Sequence, residues 1–321
     1  MKIITFKDVV ALNVQPLMCF DWAEAMIRSK KEALLPPKIS LKPYDGVFCN
    51  VMPSIISGSD NTKWGGVKVV TRYPNRVPSL ESRILLMNAD SGEFVALMDG
   101  TWITTMRTGA VAAHSIMLLG KKNFATIGIM GLGNVSRSTL LILADKLRDR
   151  DFYVKLLRYK GQEEDFAKRF ANYKNLHFSF VNTAKEMVKD SDVVISGATY
   201  LPNDVCPDEY FDKGVLVQPI HTLGFTNCDL FFDKVFADDL GHVRHFKNFD
   251  KFKQFAEVCD VVNGNKPGRE NDDERILAYN IGVSIHDIYF AVAIYRMMQE
   301  RGILDSLTEI DMNDPTEKFW V

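Results

Sequence analysis

Residues 126–136, Thr-Ile-Gly-Ile-Met-Gly-Leu-Gly-Asn-Val-Ser, constrain this chain more than any other stretch. Four of the first five fit a short buried strand, Gly131-x-Gly133 makes a turn, and 138–144 starts a largely apolar helix. Strand, glycine turn and helix in that order form the entry to a dinucleotide-binding fold. Gly131 takes the tight turn, and Gly133 lets a pyrophosphate approach the backbone. The free N–H groups at the helix start, around Asn134 and Val135, face that anion with a partial positive charge. Ser136 stands where the fingerprint has its third glycine, and is small enough to keep helix against strand. Glycines also serve ordinary strand–turn–helix junctions, so the reading depends on context.

The context is supplied downstream. Strand-like runs at 152–157, 176–181, 192–196, 214–217 and 234–237 alternate with helical stretches such as 163–170 and 184–188. Such alternation implies a parallel, doubly wound sheet. Ligands of such sheets bind beyond the C-terminal strand ends, here near Gly131, Ala198, Thr199, Gln218 and Pro219. Where NAD enzymes place an acid for the ribose hydroxyl, Arg158 and Lys160 offer two cations. That favours NADP(H), with both on the 2′-phosphate. NAD(H) remains open, because Glu163 and Glu164 follow closely.

The first third has a different character. Residues 7–35 read as a helix with a charged face at 28–31, stopped by Pro36 and Pro37, and Lys38 follows at once. Strands are expected at 48–53 and 65–72, the second with Val67, Val69 and Thr71 on one face and Lys68 on the other. Runs at 84–87 and 93–98 flank the turn signal Asp90-Ser91-Gly92. No crossover helices separate these runs, so the block is antiparallel. Residues 101–119 then take a helical period, with Ile103, Met106, Ala110, Ala113 and Met117 on one stripe. Arg107 lies in the early turns, where its charge adds to that of the helix start. The position suits a bound carboxylate or phosphate, and equally a pairing with a surface acid. Further on, a helix is expected at 248–258, a polar loop at 263–274 and a long helix from near Ser284, carrying Ile285, Ile288, Val292 and Tyr295 on its apolar stripe.

These readings give an α/β protein: a Rossmann-type doubly wound parallel sheet at 121–289, plus a discontinuous α+β domain built from 1–120 and 290–321. The 321 residues carry a net charge of −2, so no basic surface asks for nucleic acid. No apolar run approaches the ~18 residues that would span a bilayer. Lys7 and Asp8 break the N-terminus into charge too early for a signal peptide. The five cysteines are scattered with no C-x-x-C pair, which predicts reduced thiols in a cytoplasmic protein and neither disulfides nor a bound metal.

Several stretches coincide, in order, with one family. Met52–Pro53, Gly66–Val67–Lys68–Val69–Val70, Asp90–Ser91–Gly92, Met98–Asp99–Gly100 and Met106–Arg107–Thr108–Gly109–Ala110 resemble the ornithine cyclodeaminase/mu-crystallin family. Gly131-x-Gly133, the run from Asp192 to Ile195, Gly264-x-x-Pro267–Gly268–Arg269 and His286–Asp287 continue the match over nearly the whole chain. The order is specific, since Lys68 and Arg107 precede the glycine turn. The resemblance implies an NAD(P)-dependent homodimeric enzyme whose discontinuous domain serves dimerisation and substrate binding. It further implies hydride transfer at the α-carbon of a small amino acid or imino acid, as in amino-acid dehydrogenases and ketimine reductases. By the same resemblance Arg107 grips the substrate α-carboxylate and Lys68 sits beside the reacting carbon. Lys38 stands where the family often has an arginine, which weakens any planar clamp there. Cyclodeaminases carry an acid in a loop that reads here from Ile220 to Gly224, with no acid in it, and His221 is the candidate replacement acid/base or a structural histidine. The alternatives are a cyclodeaminase-type lyase making proline and ammonia from ornithine with cofactor recycling, and a non-catalytic cofactor-binding protein.

Overall fold

A computed structural model describes residues 1–58, 60–198, 201, 205–220, 230–312 and 317–318. The chain opens with β1 (Lys2–Ile4) and α1 (Phe6–Ala11). The single helix expected over 7–35 is broken: Asn13 takes a φ of 50° and Pro16 stands in the first turn of α2 (Pro16–Arg28). Proline has no N–H to give an upstream carbonyl, so it starts a new helix here and does not continue the old one. Then come β2 (Ile39–Leu41), β3 (Phe48–Ser57), β4 (Lys63–Arg72), β5 (Leu80–Asn88), β6 (Phe94–Asp99) and α3 (Thr101–Leu119). Alternation follows with β7 (Thr126–Met130), α4 (Asn134–Lys146), β8 (Phe152–Leu157), α5 (Gln162–Lys168), β9 (Leu176–Val181), α6 (Ala184–Val188) and β10 (Val193–Ser196). Last are β11 (Leu216–Pro219), β12 (Lys234–Ala237), α7 (Leu240–Val243), β13 (Phe255–Glu257), α8 (Val258–Val262), β14 (Ile276–Tyr279) and α9 (Ser284–Glu300).

The chain divides into two compact units, one of Met1–Val14, Glu32–Thr104 and Ser284–Val321, the other of Gln15–Lys31 and Thr105–Val283. This division differs in places from the boundaries expected at 120/121 and 289/290. It falls inside α3 because the helix beyond Thr104 is fused to α4: a Cβ on Gly109 would lie 2.2 Å from Ser138 Oγ. Residues 15–31 join the second unit because α2 packs on α4 and α8.

Among the described residues, the first unit holds a six-stranded sheet in the order β1-β6-β5-β4-β3-β2. It is antiparallel except where β1 runs parallel to β6. Helix α9 packs on β3, β4 and β5. The inward face of β4 carries Trp64, Lys68 and Val70, while Val69 is exposed. The side bearing the lysine, not the Val67/Val69/Thr71 side, therefore turns to the core.

Among the described residues, the second unit holds eight parallel strands in the order β13-β12-β14-β11-β10-β7-β8-β9. Order reverses at β7/β10, so the crevice for a ligand opens at the ends of those strands. Two features depart from expectation. Strand β14 has no counterpart among the strands the sequence predicts, and it fills the place between β11 and β12. Residues 248–258 are not one helix: a single turn at Phe249–Lys251 leads into β13, which pairs with β12. The three-residue spacing of Phe249, Phe252 and Phe255 mimics a helical stripe, but the rings meet one another in an aromatic cluster.

Candidate active site

The glycine turn lies in the second unit, between β7 and α4. Gly131 has a φ of 74°, and a Cβ there would stand 2.3 Å from the Ala198 amide nitrogen. Only glycine meets both demands. The turn is tied from below by Ser136, whose Oγ donates to the Gly131 carbonyl at 2.7 Å. Ser136 also fills the space a Cβ on Gly197 would need. Gly133 is the opposite case: nothing lies within 4 Å of its would-be Cβ, and it caps α4 with no side-chain hydrogen bond. Gly133 and Asn134 are exposed and Val135 half-buried, which leaves the first N–H groups of a 13-residue helix open to an anion. The cradle fits a dinucleotide pyrophosphate. Gly131, Gly133, Asn134, Val135 and Ala198 thus gather around one strand end, while Thr199 lies outside the described residues.

At the end of β8, the Arg158 guanidinium donates to Glu163 at 2.9 Å and lies over the Phe180 ring at 5.3 Å. Glu163 is 3% exposed, and its other oxygen accepts the Tyr159 N–H at 3.2 Å. Hydrogen bonds from its own N–H, from Tyr159 and from Arg158 hold its carboxyl below the usual range. Of the two acids that follow the strand, Glu163 is thus turned inward and engaged, whereas Glu164 is exposed, as are Arg158 and Lys160. Lys160, at φ 53°, sits over the Tyr159 ring.

Arg107 is 5% exposed in α3. Its guanidinium lies against Gly282, where a Cβ would be 2.8 Å from one terminal nitrogen. The side chain is therefore buried and does not lie on the surface. In the first unit, Lys68 is 1% exposed, and its Nζ meets Asp287 Oδ2, itself fully buried, at 2.6 Å. Asp287 stands in the first turn of α9, where a carboxylate is favoured by the helix dipole. The sequence marked His286–Asp287 only as a motif. That Asp287 is the counter-ion of a lysine 219 residues earlier has no local signature. Lys38 is half-buried just before β2, whose Ile39 pairs with Val51. His221 lies outside the described residues.

Among the described residues, one group brings metal-ligating atoms together: Glu257, Cys259 and Asp260. Lys30 and Lys31 already occupy its carboxylates, and burial pushes the Cys259 thiol up to about 11. Those features make it a salt-bridge cluster. No disulfide links the described cysteines, and no described helix is long and apolar enough to cross a membrane.

The ornithine cyclodeaminase/mu-crystallin family model matches residues 2–302. The chain belongs to that family. Among its relatives is an N-((2S)-2-amino-2-carboxyethyl)-L-glutamate dehydrogenase of Staphylococcus aureus, 27% identical over 293 residues, covering 84% of this chain and 85% of that one. A Δ1-pyrroline-2-carboxylate reductase of Bacillus cereus is 26% identical and covers 79% of this chain and 82% of its own. An archaeal alanine dehydrogenase dimer with bound NAD shares the fold at a TM-score of 0.81 and 22% identity, over 97% of this chain and 99% of that one.

Proposed function

We propose that this protein is an NAD(P)-dependent oxidoreductase acting on the C–N bond of a small α-amino or α-imino acid. The observation that carries the reading is the Lys68–Asp287 pair, an ion pair wholly removed from water inside a sheet-and-helix core. Desolvating two charges costs several kcal/mol per ion, roughly, and apolar residues often fill such a place at no loss of stability. Retaining them there makes sense for chemistry. The two curated relatives support the same class, since both names describe redox chemistry at an amino- or imino-acid carbon.

In this reading Arg107 binds the substrate carboxylate as a planar fork. Lys68, oriented by Asp287, holds or delivers a proton at the substrate, and Lys38 adds a weaker electrostatic contact. His221 is the candidate for a further acid/base. The N–H groups at Gly133, Asn134 and Val135 hold the pyrophosphate, with Gly131 shaping the turn and Ala198 beside it, and Thr199 is a further candidate for cofactor contact. A bound nicotinamide supplies or accepts the hydride at the α-carbon. Arg158 and Lys160 favour NADP(H) over NAD(H), because two exposed cations stand where the ribose 2′ position is expected and Glu163, the acid in contact with Arg158, is buried. In this reading the protein acts in the cytoplasm as a homodimer; the archaeal alanine dehydrogenase neighbour is itself a dimer.

The test is turnover over a panel of L-alanine, L-proline, Δ1-pyrroline-2-carboxylate and L-ornithine with both cofactors. A net change at the reduced-nicotinamide absorbance band is expected. Ammonia release from ornithine without net change would instead identify a cyclodeaminase, and cofactor binding without any turnover a binding protein.

A further inference from the structure

The loop after β14 is held from three sides of the second unit. The Asn280 N–H donates to the Pro219 carbonyl at 3.0 Å, and its side-chain oxygen accepts from Gln218 at the end of β11. Its amide nitrogen reaches Ser115 of α3 at 3.4 Å. Asp238, just beyond β12 and 6% exposed, accepts the Gly282 N–H at 2.8 Å. Between these anchors Gly282 takes a φ of 82°, and both terminal nitrogens and the central carbon of the Arg107 guanidinium lie 2.8–3.5 Å from where its Cβ would be. A guanidinium can approach a backbone this closely only where there is no side chain, and this φ is itself suited to glycine.

We propose that Gly282 and Asp238 are positioning residues for Arg107, forming a rigid seat that fixes the plane of its guanidinium for a bidentate grip on the substrate carboxylate. This rests on the reading of Arg107 given above. Two parallel N–H···O bonds need the fork held in one plane, and a loop anchored to two neighbouring strands and to the helix bearing Arg107 supplies that constraint. Burial raises the Asp238 carboxyl above its usual range, against hydrogen bonds from Gly282 and Ile281. An uncharged amide at this position therefore preserves the anchor.

The experiment compares Arg107→Ala, Gly282→Ala, Asp238→Ala and Asp238→Asn in the full-length enzyme. It uses the panel acid with the highest kcat/KM, and cofactor affinity is measured by nicotinamide fluorescence. Gly282→Ala and Asp238→Ala are expected to raise KM for the acid about tenfold or more. Their kcat falls less, cofactor affinity stays within about twofold, and Asp238→Asn stays near the parent. A crystal structure of Gly282→Ala should show the guanidinium displaced. Unchanged KM in folded Gly282→Ala and Asp238→Ala overturns the seat while leaving Arg107 its role. Unchanged KM in Arg107→Ala overturns the carboxylate reading and the seat with it. If Gly282→Ala does not fold, the Asp238→Ala and Asp238→Asn pair decides: a KM rise that the amide rescues supports the seat, and equal losses in KM, kcat and melting temperature for both refute it.

Discussion

Lys30 and Lys68 are both buried lysines paired with carboxylates, at 8% and 1% exposure, yet they belong to different kinds of arrangement. Lys30 meets Glu257 at 2.6 Å and Asp239 at 2.8 Å. Those acids have structural duties of their own: Glu257 accepts the Leu240 N–H, and Asp239 caps α7 and accepts from the His242 ring. Burial opposes the charge on Lys30, but the hydrogen bonds to Asp239 and Glu257 outweigh it and leave the ammonium raised in pKa. The cluster clips residues 15–31 onto the parallel-sheet unit. Lys68 instead lies across from Met52 and Ile84 on its neighbouring strands, in a face that is otherwise largely apolar, with Asp287 brought from α9. A network that ties backbone caps together reads as scaffold. A charged pair set in an apolar face reads as equipment for chemistry.

The contrast is sharpest for activity. Lys68→Met with Asp287→Leu should cost turnover about 10³-fold while the melting temperature stays at or above the parent's, since no charge is left stranded. A double variant that keeps its activity breaks the distinction. Next in size, Lys30→Met strands two carboxylates and should lower unfolding free energy by about 3 kcal/mol, read by urea denaturation, with kcat within about twofold. Activity loss without destabilisation would move Lys30 into the site.

The pH dependence comes third. Burial raises Asp239, but hydrogen bonds from His242 and Lys30 outweigh it and hold the carboxyl down to about 2. A depressed acid contributes stability that is present above its unfolded value near 3.8 and lost as pH falls towards 2. That loss should be about 2 kcal/mol, and the same titration of Asp239→Asn should lack it.

The smallest effect extends the contrast to an exposed pair. Arg158 is 45% exposed in its contact with Glu163, so opening that contact costs little and the guanidinium is available to a phosphate. Arg158→Ala should weaken NADPH binding about tenfold and NADH binding about twofold or less. Equal losses for both cofactors would show that Arg158 only braces Glu163.

What the sequence displayed follows from range. The glycine turn was legible because its geometry is set within a dozen residues, and Gly131 and Gly133 do take contrasting places, one crowded and one open. The helix 101–119 and the strands around Asp90–Ser91–Gly92 announced themselves by period and turn chemistry. Local patterns misled where tertiary packing decided. The run 28–31 reads in sequence as a charged face, but Lys30 is buried because its two acids come from more than 200 residues away. The four residues of β14 gave too short an apolar run to separate from the polar loop before them. Asp287 was visible as a motif and invisible as a partner, since nothing local says which lysine it will meet.

The central claim is that hydride moves between a nicotinamide and the α-carbon of an amino or imino acid with Lys68 in attendance. The most direct measurement uses NADPH deuterated at C4, on the transferred side, with Δ1-pyrroline-2-carboxylate, followed by NMR of the product. The account predicts deuterium on the product α-carbon with the parent enzyme and none with Lys68→Met. A parent enzyme that leaves the label on the cofactor, or a Lys68→Met variant that transfers it at the parent rate, contradicts the account.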